Sequence, residues 1–237
     1  MDQRRLAALH ALGLPAWARR PGTVLPGAPE PWREPRAAPG GAAEPPGEDT
    51  AGLDWEALEG RVAACTRCPL HAGRTRTVFG VGHRHADWLI IGEAPGAEED
   101  RRGEPFVGRA GKLLDAMLLA LGHERSEVYI ANVVKCRPPQ NRDPRPEEAA
   151  SCAPFLDRQI ALLQPKIILA VGRVAAQRLL DTDAPVGRLR GKVHSYGPAG
   201  IPLVVTWHPA YLLRRPAAKA EAWRDLVLAA TAAEGRA

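Results

Sequence analysis

The chain has 237 residues, 45% of them hydrophobic, and its 32 Lys and Arg outweigh 27 Asp and Glu to give a net charge of +5. This length and apolar content are enough for one good-sized core, and the positive balance only mildly favours a polyanionic partner. No apolar stretch approaches the roughly 18 residues that span a membrane, and the N-terminus lacks a signal peptide's apolar core and cleavage site. We therefore expect a cytoplasmic protein with no membrane partner. In a reducing compartment, cysteines serve as metal ligands, catalysts or buried thiols more often than as disulfides.

Residues 1–50 differ in composition from the rest of the chain. They hold 9 of the 23 prolines, and their six Arg balance six Asp and Glu. A short helix with three leucines on one side is predicted at 2–13, and the polar, Pro-rich composition of 21–49 predicts a disordered linker. A short apolar helix on a flexible tether can dock on a partner protein. A dispensable tail is the alternative.

The folded domain is expected to span residues 51–237, where apolar strands alternate with helices. Strands are predicted at 87–91, 128–134, 166–172 and 202–206, and helices near 53–62, 109–122, 146–163, 173–180 and 216–231. The third strand is almost continuously apolar, as expected for a parallel strand that is covered on both faces. The alternation predicts an α/β fold, in which helices cover both faces of a parallel sheet.

A long Gly- and Pro-rich loop, from Gly92 to Gly111, separates the first predicted strand from a helix. Ligands of open α/β sheets bind beyond the carboxyl ends of the strands. The loop is therefore the first candidate for one wall of a binding site.

All four cysteines fall into one pattern, a CxxC pair followed by two separated cysteines: Cys65, Cys68, Cys136 and Cys152. The turn inside the pair directs both sulfurs to the same side. Four thiolates suit either a [4Fe–4S] cluster or a structural zinc ion. Structural zinc sites more often show two close pairs, so the single pair mildly favours the cluster. Four unrelated buried thiols are the alternative.

Several motifs coincide in this order along the chain. GEAPG at 92–96 closes a strand, PFVG at 105–108 and AG at 110–111 follow in the same loop, Asn132 lies four residues before Cys136, and HPAYLLR at 208–214 ends the last strand. With the four cysteines, this set closely resembles the family 4 uracil-DNA glycosylases, the iron–sulfur branch of that superfamily. The resemblance runs from about residue 53 to about residue 228.

The resemblance implies a three-layer α/β/α domain with a four-stranded, mainly parallel sheet. It implies hydrolysis of the N-glycosidic bond of deoxyuridine in single- or double-stranded DNA, which leaves an abasic site for base excision repair. It also implies one structural [4Fe–4S] cluster held by the four cysteines. We further expect a monomer that is associated with the nucleoid and whose N-terminal helix docks on an unknown repair or replication partner. The family's substrate-binding residues map onto Gly92, Glu93, Ala94, Phe106, Asn132 and His208.

The chemistry of excision suits two of these residues in particular. A uracil inside a duplex has to leave the base stack before an enzyme reaches it, and an aromatic face such as that of Phe106 contributes about 1–3 kcal/mol per stacked base. Asn132 interrupts an apolar strand, where its amide offers a donor and an acceptor that match O4 and N3–H of uracil and reject cytosine. The alternatives are a Phe106 packed into the core and an Asn132 bonded to loop backbone.

Glu93 and His208 are the expected catalytic residues. A hydrogen bond from His208 to O2 of uracil would stabilise the negative charge that develops in the transition state. Some members of the superfamily position the attacking water with an Asp of the first motif, but this chain has Ala94 there. Glu93, Glu99 and Asp100 are candidates for that role, and we favour Glu93.

Loops near the strand ends carry the residues that are expected to contact DNA. Basic side chains there would neutralise phosphates, which predicts an affinity that falls steeply with salt. A leucine of the segment 211–213 would fill the gap left by the flipped base, and ordinary packing of that leucine is the alternative. The expected contacts are Arg137, Arg190, Lys192, Leu212 and Arg214, with Arg142 and Arg188 as further candidates.

Other functions stay open at this point. One is a zinc-stabilised nucleic-acid-binding module without catalysis. Another is a glycosylase with broader specificity for deaminated bases such as hypoxanthine. A glycosylase that stays covalently attached to the abasic site is disfavoured, because it needs a basic, His-bearing insertion where this chain has only the short segment 122–127.

Overall fold

A computed structural model describes residues 3–11, 13 and 50–235. The predicted disordered linker at 21–49 lies outside these residues. None of the described helices combines the length and the hydropathy that a membrane span requires.

Six strands of the described residues form one sheet. They are β1 (Val81–Gly82), β2 (Trp88–Gly92), β3 (Tyr129–Asn132), β4 (Ile167–Val171), β5 (Val193–Tyr196) and β6 (Ile201–Thr206). Their order across the sheet is β1-β3-β2-β4-β6-β5. The four central strands pair in parallel, whereas β1 and β5 run antiparallel at the two edges.

The predicted parallel strands are confirmed, and with them the α/β class, but the predicted number of four strands is wrong. The two additional strands are short and lack an apolar run. The first has two residues, one of them glycine, and the second, VHSY, follows the basic segment that contains Arg190 and Lys192. Each is held by main-chain hydrogen bonds to one neighbour, which side-chain periodicity does not report.

The helices of the described residues cover both faces of this sheet. They are α1 (Gln3–Ala11), α2 (Trp55–Ala63), α3 (Ala97–Arg102), α4 (Arg109–Leu121), α5 (Pro146–Leu163), α6 (Arg173–Leu180), α7 (Val186–Leu189), α8 (Pro209–Arg214) and α9 (Lys219–Ala233).

Alternate residues of each strand point to opposite faces of the sheet and build two separate core clusters. Leu89 and Ile91 of β2 belong to the cluster that includes residues of α2, α5 and α6. Trp88 and Ile90 of the same strand belong to the cluster that includes residues of α4 and α9. The domain is therefore a three-layer α/β/α sandwich.

The predicted N-terminal helix exists as α1, and it packs on α4 of the same chain. Its Ala8 is buried in the core cluster that contains Met117 of α4. Arg4 Nη1 of the same helix lies 3.9 Å from Glu124 Oε1, so the two side chains form an ion pair. The helix thus contacts its own domain, and its docking on another protein stays a prediction.

Candidate functional site

The four parallel strands bring their carboxyl ends to one edge of the sheet. β2 ends at Gly92 and β3 at Asn132, while Gly172 follows β4 and His208 stands two residues after β6. The Gly172 N–H donates to the carbonyl of Thr206 at 2.9 Å, so β4 and β6 stay paired up to this edge. Residues that are far apart in the chain are thereby collected where α/β folds bind ligands.

Gly92 lies against Asn132 and Phe106. A Cβ atom at position 92 would lie 2.5 Å from Asn132 Oδ1 and 2.6 Å from the Phe106 ring, so any larger residue would displace one of them. The Phe106 ring in turn stacks on the His208 ring, with 5.6 Å between centroids and 29° between planes. We call the space bounded by Gly92, Phe106, Asn132 and His208 the base pocket.

The backbone of Phe106 is strained. Its φ of 53° lies in the left-handed region, which costs a bulky residue about 1–3 kcal/mol. Helix α4 passes close to this bend, because a Cβ atom at Gly111 would lie 1.7 Å from the Phe106 carbonyl oxygen. The ring is only 7% exposed and packs in the core as well as on His208. Its stacking on a base stays a prediction.

Asn132 carries an acceptor that the protein leaves unsatisfied. The residue is 2% exposed, and its Oδ1 is the single buried side-chain polar atom of the described residues without a hydrogen-bond partner. Such an atom costs about 1–3 kcal/mol. Oδ1 therefore makes no bond to loop backbone, and the reading of a base by Asn132 stays a prediction.

His208 is held as one neutral tautomer. It caps the N-terminus of α8, where the Ala210 N–H donates to His208 Nδ1 at 3.1 Å. Burial, followed by the nearby charge of Arg214, lowers the pKa of His208 to about 4. A neutral ring whose Nδ1 accepts a hydrogen bond carries its proton on Nε2. His208 therefore offers a single N–H donor.

Two of the three acids proposed for the water-positioning role are used to fold the loop. Glu99 accepts hydrogen bonds from the N–H groups of Gly96, Val107 and Gly108 at 3.0–3.1 Å, and thus ties both sides of the loop together. Asp100 is 2% exposed and accepts from the Thr75 N–H at 2.9 Å. Both carboxylates thus hold main-chain N–H groups of the protein in place.

Glu93 remains as the candidate from the first motif. Burial, and then the carboxylate of Asp143, raise the pKa of Glu93 to about 7, while Arg173 acts in the opposite direction. Arg173 forms an ion pair with Asp143. A carboxyl group that titrates near neutral pH beside a candidate ligand site is typical of an acid–base role. Sequence reasoning did not identify Asp143 or Arg173, because neither belongs to the motifs.

The four cysteines line one cavity, which α2, α5 and the segments after α2 and β3 enclose. We call it the cysteine cavity. Cys136 and Cys152 are buried, and Cys65 and Cys68 are half-buried. Within residues 3–11, 13 and 50–235, no three His, Cys, Asp or Glu side chains are placed to share a single metal ion.

Two cysteine sulfurs accept hydrogen bonds from the protein. Arg74 Nη1 donates to Cys136 Sγ at 3.2 Å and also to the Cys65 carbonyl at 2.8 Å. The Lys135 N–H donates to Cys152 Sγ at 3.3 Å. Burial raises the pKa of the Cys152 thiol to about 12. Four sulfurs around one cavity, two of them with an N–H donor directed at them, form a donor set suited to an iron–sulfur cluster.

Comparison with known proteins agrees with this geometry. A family model described as the uracil DNA glycosylase superfamily matches residues 79–227. The chain belongs to this superfamily.

Several relatives of this chain are named type-4 uracil-DNA glycosylase. A type-4 uracil-DNA glycosylase of Pyrobaculum aerophilum is 42% identical over 182 residues, which cover 74% of this chain and 93% of that protein. One of Thermotoga maritima is 46% identical over 160 residues, or 67% of this chain and 83% of that protein. A type-5 uracil-DNA glycosylase of Thermus thermophilus is 32% identical over 163 residues, or 54% of this chain and 73% of that protein. The higher identities place the chain in the type-4 branch of the superfamily.

Three of the expected DNA contacts lie on the surface of this glycosylase domain near the base pocket. Arg137 is half-exposed after β3, Arg214 is exposed in α8, and Lys192 is exposed immediately before β5. Val193 of β5 pairs with Val204 near the end of β6, which places Lys192 at the same edge of the sheet as the pocket. Their contact with DNA stays a prediction.

The structure contradicts two other expected contacts. Leu212 is 0% exposed within the core, whereas its neighbour Leu213 is 38% exposed. The segment forms the short helix α8, which turns one leucine inward and the next outward. Arg190 bonds Asp225, which is buried, at 3.0 and 3.1 Å. Its guanidinium thus joins α9 to the end of α7 and is not available to a phosphate.

The further candidate Arg142 is also committed within the protein. Its guanidinium forms two hydrogen bonds, at 2.7 and 2.8 Å, with the carboxylate of Glu148, whose side chain is 2% exposed. Arg188 is exposed.

Proposed function

We propose that this chain hydrolyses the N-glycosidic bond between uracil and deoxyribose in DNA and leaves an abasic site. Relatives named type-4 uracil-DNA glycosylase, 42–46% identical to the chain, support this activity. The observation that carries the proposal in this molecule is the unsatisfied Oδ1 of Asn132.

Uracil supplies what Asn132 lacks. Its N3–H is a donor for Oδ1, and its adjacent O4 is an acceptor for the amide N–H of the same side chain. Cytosine presents an acceptor at N3 and a donor at its amino group, so both contacts would be mismatched. A site whose buried polar groups are paired only by the correct ligand rejects the wrong one strongly.

His208 acts on the leaving group. As the glycosidic bond breaks, negative charge develops on the uracil ring, largely at O2. The neutral ring donates from Nε2 toward that oxygen, and the donor is already oriented by the Ala210 N–H before the substrate binds. A preorganised donor stabilises the charge that appears in the transition state, and so accelerates the reaction.

Glu93 positions the water that attacks C1′ of the sugar. Glu93 directly follows Gly92, which bounds the base pocket, and its side chain is half-buried. With a pKa of about 7, the ionised form that accepts a proton from water is present at neutral pH. Because the sugar is strongly cation-like in the transition state, its hydrolysis needs a correctly positioned water rather than a strong base.

We infer that the cysteine cavity holds one [4Fe–4S] cluster bound by Cys65, Cys68, Cys136 and Cys152. Four thiols around one cavity, rather than around one point, support a group of several atoms over a single zinc ion. When bound, such a cluster cross-links the chain and takes no part in the hydrolysis. Because one chain supplies all the residues of the base pocket, we also propose that the protein acts as a monomer.

The test is an excision assay on purified protein whose iron and zinc contents have been measured. Single-stranded and duplex oligonucleotides carrying uracil, hypoxanthine or thymine are incubated with the protein, and abasic sites are cleaved with alkali. We expect cleavage at uracil only, by protein that contains about four iron atoms per chain and absorbs near 400 nm. Iron-loaded protein that leaves the uracil strands intact would refute the proposal. Equal cleavage at hypoxanthine would replace it with the broader specificity.

A further inference from the structure

Lys135 is a lysine enclosed by the core. It follows β3, three residues after Asn132 and directly before Cys136, and it is 1% exposed. Burying an ammonium group is costly unless it is fully bonded, and an apolar residue of similar volume often stabilises a core as well or better. A lysine at this position therefore calls for a role beyond packing.

The contacts of Lys135 extend in two directions. Its Nζ donates to the main-chain carbonyl of Asn132 at 2.9 Å and to Gln159 Oε1 at 2.6 Å. Its own N–H donates to Cys152 Sγ at 3.3 Å. Both acceptors of the ammonium group are neutral oxygens. One residue thus touches the carbonyl of Asn132 and a sulfur of the cysteine cavity.

Gln159 of α5 is itself held in place. Its Nε2 donates to the Phe79 carbonyl at 3.0 Å and to the Tyr129 hydroxyl at 3.3 Å, and the residue is fully buried. The orientation of its amide is fixed by these two acceptors, so its Oε1 has to face Lys135. The ammonium group is therefore clamped between α5 and the end of β3.

This clamp acts on the peptide unit that carries the base-reading side chain. The peptide unit between Asn132 and Val133 is held at its N–H by the Gly92 carbonyl, at 2.9 Å, and at its carbonyl by Lys135 Nζ. The lysine thus anchors the end of this unit that the bond to β2 leaves open. Fixing that carbonyl fixes the backbone ψ angle of Asn132, and with it the direction in which its side chain enters the base pocket. Positioning within about 0.5 Å decides whether such a group is effective.

We propose that Lys135 is a positioning residue that connects the cysteine cavity to Asn132 and so sets the affinity of the pocket for uracil. The inference rests on the proposed function, because it assumes that Asn132 reads uracil. It gives the cysteine-bound group a reason to lie near the pocket without taking part in the reaction: the group holds Cys152, and Cys152 and Gln159 hold Lys135.

The test compares Lys135→Met with the wild-type protein and with Lys166→Met. Methionine keeps the length and volume of the side chain but removes both hydrogen bonds from Nζ. Lys166 is the matched control, because its side chain is 63% exposed and pairs only with Asp87 at the surface. Iron content and absorbance near 400 nm are measured first, so that equally loaded proteins are compared.

Two binding measurements then separate positioning from general damage. The first is the affinity for free uracil, which depends on Asn132, and the second is the affinity for duplex DNA with a stable abasic-site analogue, which does not. For Lys135→Met we expect uracil affinity to fall about tenfold or more, the equivalent of about one hydrogen bond. Affinity for the abasic duplex should stay within about twofold of wild type. Lys166→Met should match wild type in both.

Unchanged uracil affinity in iron-loaded Lys135→Met would overturn the inference, as would equal losses for uracil and for the abasic duplex. If Lys135→Met does not accumulate as folded protein, Gln159→Met removes one partner of Nζ and leaves Lys135 in place. Its uracil affinity is expected to fall about threefold, one part of the clamp being lost, and a wild-type value would contradict the inference. Wild-type protein that excises no uracil would instead refute the proposed function itself.

Discussion

The base pocket and the cysteine cavity lie at the two ends of one short stretch of chain, residues 132–136. In the pocket, Asn132 Oδ1 is buried without a partner, and Phe106 is held in a strained conformation. In the cavity, the sulfurs of Cys136 and Cys152 already accept N–H hydrogen bonds from Arg74 and Lys135. One site keeps a hydrogen-bonding group unused, whereas in the other, two sulfurs already have hydrogen-bond donors.

The difference has a consequence for how each site tolerates change. An unsatisfied acceptor destabilises the folded protein, and a bound base that donates to it offsets this effect. Removing the acceptor should therefore reduce function and not stability. The hydrogen bonds around the cysteines are part of the folded structure, so removing one should weaken the retention of any group that the cysteines bind. Substitutions in the two regions should therefore produce opposite patterns.

The largest expected effect comes from Asn132→Leu. Uracil loses both contacts with the side-chain amide, and single-turnover excision should fall on the order of 10³-fold. The melting temperature should not fall, because the substitution removes a buried atom that has no partner. A marked loss of stability with intact excision would reverse the roles assigned here.

His208→Ala is expected to have the next largest effect. Removing one oriented donor from a developing negative charge costs about 10²- to 10³-fold in rate. Because His208 contributes to the leaving group rather than to recognition, the affinity for uracil-containing DNA should change much less than the rate. Exposed His85 provides a control in His85→Ala. A variant that loses DNA affinity and rate in equal measure would argue against the assignment.

The pH profile tests Glu93. The active form is the carboxylate, and the raised pKa means that it is mostly protonated below about pH 7. Excision should therefore increase about tenfold for each pH unit below this value and level off above it. Glu93→Gln should be slower at high pH and lose this dependence. An unaltered profile in the variant would assign the titration to another group, and wild-type rates would remove Glu93 from the mechanism.

Arg74→Gln is the corresponding substitution in the cysteine cavity, and its effect on excision should be the smallest. The variant loses the N–H donor to Cys136 Sγ but keeps all four cysteines. We expect iron to be released to a chelator several-fold faster, measured as loss of absorbance near 400 nm, because hydrogen bonds to sulfur stabilise a bound cluster. Still-loaded protein should excise uracil within about twofold of wild type. Slower excision without faster release of iron would contradict the separate roles assigned to the two sites.

Much of the pocket could be predicted from the sequence because its residues directly follow strands. Apolar runs predict the parallel strands, and the carboxyl ends of parallel strands meet at one edge. Gly92, Asn132 and His208 could thus be placed near each other before any coordinates were known. Gly172 also follows a parallel strand, β4, and could have been placed at the same edge in the same way. A Cβ atom at Gly172 would lie 3.0 Å from the Cβ of His208, so glycine leaves room for this close approach.

Other features depend on partners that the local sequence does not reveal. The inward turn of Leu212 depends on a helix of six residues, where a one-residue shift exchanges the buried and exposed positions. The pairing of Arg190 with Asp225 joins residues 35 positions apart. Glu99 was a candidate for positioning water, yet its partners are main-chain N–H groups across the loop. Lys135 differs from these residues, because a charged residue at the end of an apolar run is a signal that the local sequence contains.

The most direct test of the central claim is a crystal structure of the iron-loaded protein with free uracil. We expect N3 of the base at a hydrogen-bond distance of about 2.7–3.2 Å from Asn132 Oδ1, which would then have its missing partner. Nε2 of His208 should face O2 of the same ring. A uracil that binds in the pocket with N3 directed away from Asn132, and leaves Oδ1 unsatisfied, would contradict the account.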